Sequence, residues 1–287
     1  MNGVIVINKP KGITSFDVVH TISKELGIKK VGHTGTLDPL AEGVLVVCIG
    51  EATKIVELLT AYDKEYVAQV KLGIQTDSYD SEGNILDTKE VPKNLPIKEV
   101  LQSFQKTYMQ EVPIYSAVKV KGKKLYEYAR NNIEVELPKK EVTIKKIELL
   151  EKKEDTFTMK AEVTKGCYIR SLINDIGKEL GTYAIMTSLL RTRQGNISLE
   201  EACTLEEFKQ GKYKMQSIEE VLNIPKVIVD SSLAFKIKNG VKIDNIWNIQ
   251  DKVLMKDQEN HLLGIYECDE NKLKVWKNFS QEKEKEQ

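Results

Sequence analysis

Val31-Gly-His-Thr-Gly-Thr-Leu-Asp-Pro-Leu-Ala-Glu-Gly43 runs directly into Val44-Leu-Val-Val-Cys-Ile49. Gly32 to Gly43 holds three glycines and a proline and reads as a loop. Gly43–Ile49 reads as a buried strand. A glycine-rich loop that cradles phosphate carries Gly-Lys-[Ser/Thr] and opens a helix. Here a strand follows and the triplet is absent, so a phosphate-loop architecture is excluded. The loop instead presents a single carboxylate, Asp38, between Leu37 and Pro39. Pro39 pushes Asp38 toward extended backbone, and the glycines let a ligand or another stretch of chain approach closely. An acidic group at a pocket floor would be presented this way. A polar Asx-turn between two elements fits the same spacing.

Upstream, Val4–Asn8 is a strand ended by the turn signal Lys9-Pro10-Lys11-Gly12. A helix follows, with Ser15 as N-cap, Val18, Val19, Ile22 and Leu26 at helical spacing, and Gly27 as its stop. Downstream, Glu51–Leu59 reads as a short helix, Tyr66–Leu72 as a partly alternating strand, Asp80–Asn84 as a turn and Ile97–Gln105 as a helix. Tyr115–Val120 and Glu141–Leu150 read as strands bracketing a basic segment. Thr156–Val163 is a further strand, and Tyr168–Leu180 an amphipathic helix stopped by Gly181. Strands joined through hairpins predict an α+β fold with a mixed, mostly antiparallel central sheet flanked by helices. After Pro225 the texture changes. Strands at Val227–Val229, Lys252–Met255, Leu262–Tyr266 and Leu273–Trp276, with a helix at Ser231–Lys238, predict a small β-rich domain. The expected division is 1–225 and 226–287, with Gln281–Gln287 as a frayed charged tail.

The 287 residues are 41% hydrophobic and 30% charged, which excludes a disordered chain and a collagen-like repeat. No apolar run approaches the roughly 20 residues of a membrane helix, and no secretory signal opens the chain. Cys48, Cys167, Cys203 and Cys268 stand far apart with no C-x-x-C, so neither a disulfide framework nor a zinc site is expected, and a reducing cytoplasm is. Three scattered histidines leave no metal cluster. Net charge is zero, but Lys119, Lys121, Lys123, Lys124 and Arg130 gather in one segment, interleaved with Tyr115, Tyr126 and Tyr128. Bases can stack on the tyrosines while the cations meet phosphates; a solvated hairpin has the same composition. His33 reads as a hydrogen-bonding strut or a site residue. In Lys165-Gly-Cys-Tyr-Ile-Arg-Ser171, Tyr168 and Arg170 open a helix after a glycine turn, where Arg170 could pair with a buried carboxylate or lie on a solvated face.

Taken together, Gly3–Val19, Gly32–Leu45 with Gly50–Lys54, Lys64–Tyr66 with Leu72–Asp77, Tyr115–Lys119 with Gly122–Arg130, and Lys165–Arg170 with Leu189–Thr192 resemble the motifs of the TruB family, the tRNA pseudouridine(55) synthases. The resemblance covers about residues 1–225, and the C-terminal segment is similar, more weakly, to a PUA-like RNA-binding domain. It implies a pseudouridine synthase fold. Asp38 would be the catalytic aspartate and Arg170 its ion-pair partner. Tyr66 would pack on the target base and assist proton handling. Tyr168 and Leu189 would wall the pocket, His33 would hold the flipped-out RNA, and an insertion at about 115–146 would bind the stem through its lysines and Arg130. The sequence departs from the family at three places: a single Pro113 before Tyr115, Asn131-Asn132 where glycine is usual, and Ser78 where threonine is usual.

Converting uridine to pseudouridine breaks the N1–C1′ bond and rejoins the base through C5. It is an isomerisation without net redox or hydrolysis, so no cofactor and no metal are expected. The chemistry needs a nucleophile or electrostatic stabiliser beside the sugar and base, and an ionised carboxylate can be either. The target must also leave the stack, losing a few kcal/mol that aromatic walls offset. The implied partner is the T stem-loop of tRNA. A monomer is expected, with no obligate protein partner and no membrane. Two other readings remain at this point: an RNA chaperone acting on tRNA, and a pseudouridine synthase for another RNA, as in guide ribonucleoproteins.

Overall fold

The computed structural model describes residues 1–279; the expected tail Gln281–Gln287 lies outside the described residues. From the N-terminus, β1 (Gly3–Lys9), α1 (Ser15–Leu26), β2 (Val31–His33), β3 (Ala41–Ile49), α2 (Val56–Ala61) and β4 (Lys64–Leu72) lead to a ribbon of β5 (Ile74–Thr76) and β6 (Ile85–Thr88). There follow α3 (Ile97–Ser103), β7 (Thr107–Glu111), a hairpin of β8 (Lys119–Val120) and β9 (Lys123–Lys124), α4 (Leu125–Arg130), β10 (Lys139–Lys152) and β11 (Thr156–Val163). Next come α5 (Ile169–Glu179), β12 (Ala184–Gln194), β13 (Ile197–Ser198), α6 (Leu205–Lys209) and α7 (Ile218–Val221). The large sheet runs β1-β3-β12-β4-β11-β10-β7, with β2 beside β3 and β13 beside β12. Only β3 and β12 pair in parallel; the other pairings in this sheet are antiparallel. The expected mixed, mostly antiparallel α+β fold is the one observed.

Both faces of the sheet are covered at β1 and β3, which explains their unbroken apolar runs. Ile5, Ile7, Leu45, Val47 and Ile49 point to one side, against Val18 and Ile22 of α1 and Leu172, Ile173 and Ile176 of α5. The alternate residues Val4, Val6, Val44, Val46 and Cys48 point to the other, against Leu59, Ile218 and Val221. That second face also meets Leu254 and Ile265 of the C-terminal sheet. This sheet comprises β14 (Lys226–Ile228), β15 (Ile243–Asp244), β16 (Lys252–Lys256), β17 (Leu262–Asp269) and β18 (Lys272–Asn278), ordered β14-β16-β17-β18-β15, with α8 (Ser231–Lys238) against it. Among the described residues no helix is long and apolar enough to cross a membrane.

Local chemistry corrects four expectations. The N-cap of α1 is Thr14, not Ser15: Thr14 accepts from the Asp17 amide while the Asp17 carboxylate takes the Thr14 amide, a reciprocal cap. The expected helix at Glu51–Leu59 begins as a 3₁₀ turn over Gly50–Ile55 before α2. The expected strand Tyr115–Val120 forms only at Lys119–Val120. The carbonyls of Ser116 and Val118 instead accept from Tyr126 and Leu125 at the start of α4, so they are not available to a neighbouring strand. Four strands absent from the sequence reading, β2, β7, β12 and β13, complete the sheet; β2 takes Gly32 and His33 out of the expected loop.

Candidate active site

The loop from His33 to Ala41 is tied at both flanks of Asp38. Ser15, free of capping duty, accepts from the Leu37 amide at 2.8 Å and donates back to the Leu37 carbonyl at 3.1 Å. On the other flank, the Gly12 amide donates to the Pro39 carbonyl at 2.8 Å and the Ala41 amide to the Asp38 carbonyl at 3.0 Å. The Asp38 backbone is therefore fixed while its side chain remains 38% exposed. At Gly43 the chain passes so close to β12 that a Cβ would collide with the Arg191 carbonyl, and φ there is +100°. No other residue combines that backbone with that approach.

Arg170 comes from the first turn of α5, reached through the turn at Gly166. Its Nε lies 2.9 Å from Asp38 Oδ2 and 3.8 Å from Asp80 Oδ2. Its terminal nitrogens donate to the carbonyls of Ser78 and Tyr115, both at 3.0 Å. Its side chain is 5% exposed. Three acceptors, with Asp80 as a longer-range ion-pair partner, thus aim the guanidinium, a planar fork that suits several fixed partners. Asp80 is itself held. Ser78 Oγ donates to it at 2.5 Å, the Glu82 amide at 3.1 Å, and its backbone bridges Met186 of β12.

Tyr66 projects from β4 and Leu189 from β12, where Leu189 is in register with Ala41 on one side and Ala68 on the other. With Asp38, Arg170, Tyr115 and Tyr168 they line a cavity of about 180 Å³. A second cavity of about 370 Å³ shares Asp38, Arg170 and Tyr115 with it and reaches Asp77, Asp80 and Arg130. Burial pushes the Tyr66 phenol above its ordinary pKa while Arg191 pulls the other way, so Tyr66 is a neutral hydrogen-bonding wall. Burial likewise raises Tyr168.

Cations lie under the loop. Arg191, 1% exposed, donates through Nε to the Val44 carbonyl at 2.6 Å and through Nη2 to the Gly35 carbonyl at 3.1 Å. Lys9 Nζ donates to the carbonyls of Pro10 and Ile13 at 2.8 and 2.7 Å; burial lowers its pKa to about 8 against the pull of Glu42 and Asp38. Lys64, donating to the carbonyls of Thr60 and Tyr62, is lowered to about 8 by burial and by Arg191. Each holds a turn beside the site by satisfying its carbonyls.

The structure therefore brings together Asp38, Tyr66, Tyr168, Arg170 and Leu189. His33 stands outside the cavity lining: its Nδ1 accepts from the Gly35 amide at 3.2 Å, and burial followed by Arg191 lowers its pKa, which leaves it a neutral strut in the loop. Lys119, Lys121, Lys123 and Lys124 lie on the β8–β9 hairpin, away from the cavity, with Lys121 and Gly122 at positive φ in its turn. Arg130, at the end of α4, packs over Tyr126 and borders the second cavity. Sequence reasoning missed Asp80 and Arg191. Asp80 sits in a turn whose residues read as ordinary turn formers, and only Arg170, ninety residues away, reveals its use. Arg191 belonged to a quoted motif, but its strand had not been recognised.

Residues 23–169 match the TruB family pseudouridylate synthase N-terminal domain, and residues 170–231 match the tRNA pseudouridylate synthase B C-terminal domain. The chain belongs to the TruB pseudouridylate synthase family. This TruB-family chain is 44% identical to a tRNA pseudouridine synthase B of Fusobacterium nucleatum, across 95% of its own length and 98% of the relative's. It is 43% identical to one from Staphylococcus saprophyticus, across 95% and 96%. Among solved structures it resembles a chain of a Cbf5-Nop10-Gar1 complex (28% identity, TM-score 0.73, 96% of this chain and 84% of that one). It also resembles a chain of an H/ACA RNP bound to a substrate RNA containing 2′-deoxyuridine (26% identity, TM-score 0.71, 97% and 85%).

Proposed function

We propose that the chain isomerises uridine to pseudouridine at position 55 in the T arm of tRNA, with Asp38 as the catalytic carboxylate. The observation that carries this reading is the Asp38–Arg170 pair, 2.9 Å apart at a cavity walled by Tyr66, Tyr168 and Leu189, in a member of this family. A carboxylate beside a permanent cation can attack the sugar or base, or stabilise the charge that develops when N1–C1′ breaks. Arg170 holds Asp38 in one direction, so no reorganisation is needed during the reaction. Tyr66 and Tyr168 flank the released base, and Leu189 keeps the glycosidic carbon dry. Neutral Tyr66 can donate a hydrogen bond to the base as it turns. As C5–C1′ replaces N1–C1′ the base gives up its C5 proton and takes one up at N1, so the step balances without redox and the reaction draws on no cofactor.

The target uridine enters by flipping out of the T loop. The β8–β9 hairpin, Arg130 and the PUA-like C-terminal sheet grip the RNA stem by its backbone, which is how double-stranded RNA is recognised. His33 keeps the loop shaped to receive the flipped nucleotide. The chain acts as a monomer in the cytoplasm. The test is an unmodified tRNA transcript incubated with the purified chain and mapped for pseudouridine by carbodiimide-dependent primer extension. A single new stop one nucleotide 3′ of uridine 55 is expected; no stop anywhere overturns the reading, and a stop only in another RNA of a total RNA pool reassigns the substrate.

A further inference from the structure

Helix α5 carries Arg170, yet its N-terminus has no cap of its own. The N-cap position is Tyr168, whose side chain makes no capping hydrogen bond. Another element instead holds the backbone of Tyr168 itself. Gln110 of β7, 1% exposed, spans the gap with both ends of its amide. Its Oε1 accepts from the Tyr168 amide at 2.8 Å, and its Nε2 donates to the Tyr168 carbonyl at 3.2 Å. The side chain thus pairs with Tyr168 as a neighbouring strand residue would. The same Nε2 lies 2.8 Å from the Tyr108 hydroxyl, which in turn donates to Asp175 of α5 at 3.3 Å. β7, α5 and the pocket wall are joined by one half-buried chain of polar groups.

We propose that Gln110 is a positioning residue: its two-ended grip on Tyr168 sets the pocket wall and, two residues further on, the Arg170 side chain that meets Asp38. The inference rests on the isomerisation proposed above. Its chemistry is specific. Only a side chain that accepts and donates at once, at this length, can hold both backbone groups of Tyr168. Glutamate has the same shape but, when ionised, only accepts. It would keep the Tyr168 amide and repel the Tyr168 carbonyl. Protonated, it regains a donor. The groups facing position 110 are Tyr108, Asp175, the Cys167 thiol and the Tyr168 backbone, and Glu111 contributes to the field at Tyr108's partner. Burial and these acidic neighbours favour the protonated form of a glutamate placed there.

The test is Gln110→Glu, assayed at saturating tRNA in single turnover from about pH 6 to about pH 8.5 beside wild type. At the alkaline end the variant should be at least about tenfold slower than wild type, and at the acid end within about threefold. The effect should fall on the rate at saturation with tRNA affinity near wild type, because Gln110 does not face the stem. Circular dichroism at each pH confirms the folded state. A constant ratio of variant to wild-type rate across this range, or a loss confined to affinity, overturns the proposal. If Gln110→Glu does not fold, Tyr108→Phe decides: it removes the hydroxyl that accepts from Gln110 Nε2 and donates to Asp175, and so cuts the chain on both sides. A several-fold fall in the saturated rate supports the positioning role, and an unchanged rate overturns it. Wild type is the control for the function itself: absence of pseudouridine in wild type refutes the isomerisation, whereas a normal wild type beside a pH-independent variant refutes only the role of Gln110.

Discussion

Replacing Arg170 by lysine keeps the positive charge and removes the fork. The guanidinium reaches Asp38 at 2.9 Å and the carbonyls of Ser78 and Tyr115 at 3.0 Å, from nitrogens that face different ways. An ammonium has three donors at one point and cannot serve three acceptors so spread out. At least one contact is lost, and each hydrogen bond to a charged group contributes about 1.5–3 kcal/mol. If the Asp38 contact goes, the barrier should rise by about 2–4 kcal/mol, or roughly 30- to 1000-fold in rate. Arg170 is buried and closes two backbone carbonyls, so Arg170→Lys should also lose about 1–3 kcal/mol of stability. For a chain this long each kcal/mol lowers Tm by about 2–4 °C. The assay is tritium release from 5-tritiated uridine in tRNA under single turnover, with thermal unfolding of the same preparation. A rate within about threefold of wild type would refute the reasoning.

Lys121 and Lys123 are exposed, whereas Lys124 already contacts Tyr126. Replacing all three with alanine should weaken tRNA binding, leave the saturated rate unchanged, and flatten the salt dependence by roughly 0.7–0.9 per lost phosphate contact; identical slopes would retire the hairpin as an RNA contact. Burial pushes the Cys167 thiol up to about 12 although it borders the cavity. At about pH 8 only about one part in ten thousand is thiolate, so iodoacetamide should alkylate it far more slowly than free glutathione; rapid alkylation accompanied by loss of activity would contradict that environment.

The parts of the fold legible in the sequence were those whose pattern matches one regular environment. Thr156–Val163 alternates strictly and is a strand over those same residues. Ser231–Lys238 has an acidic cap and helical spacing, and is a helix over those residues. β12 escaped because register shifts at Met186/Ser188 and Arg191/Arg193 break its period of two. β7 escaped because it pairs only with β10 and the one side chain it fully buries is the polar Gln110, leaving no apolar signal. The same division holds for the site. Asp38, Tyr66 and Arg170 lie in motifs long enough to compare with a family. Asp80 and Gln110 act through contacts across 90 and 58 residues of sequence, which no local pattern encodes. The Asx-turn reading of Asp38 was legitimate on spacing, and the structure turns that carboxylate to Arg170 instead.

The central claim is that Asp38 performs the chemistry and contributes little to binding or folding. Asp38→Asn preserves shape while removing the charge, at a side chain 38% exposed. Pseudouridine formation at position 55 should be measured in single turnover with excess variant over tRNA, beside its tRNA affinity and Tm. The account predicts no detectable product over many wild-type half-lives, with affinity and Tm close to wild type. Retention of even about a tenth of the wild-type rate, a barrier change of only about 1.4 kcal/mol, would contradict it.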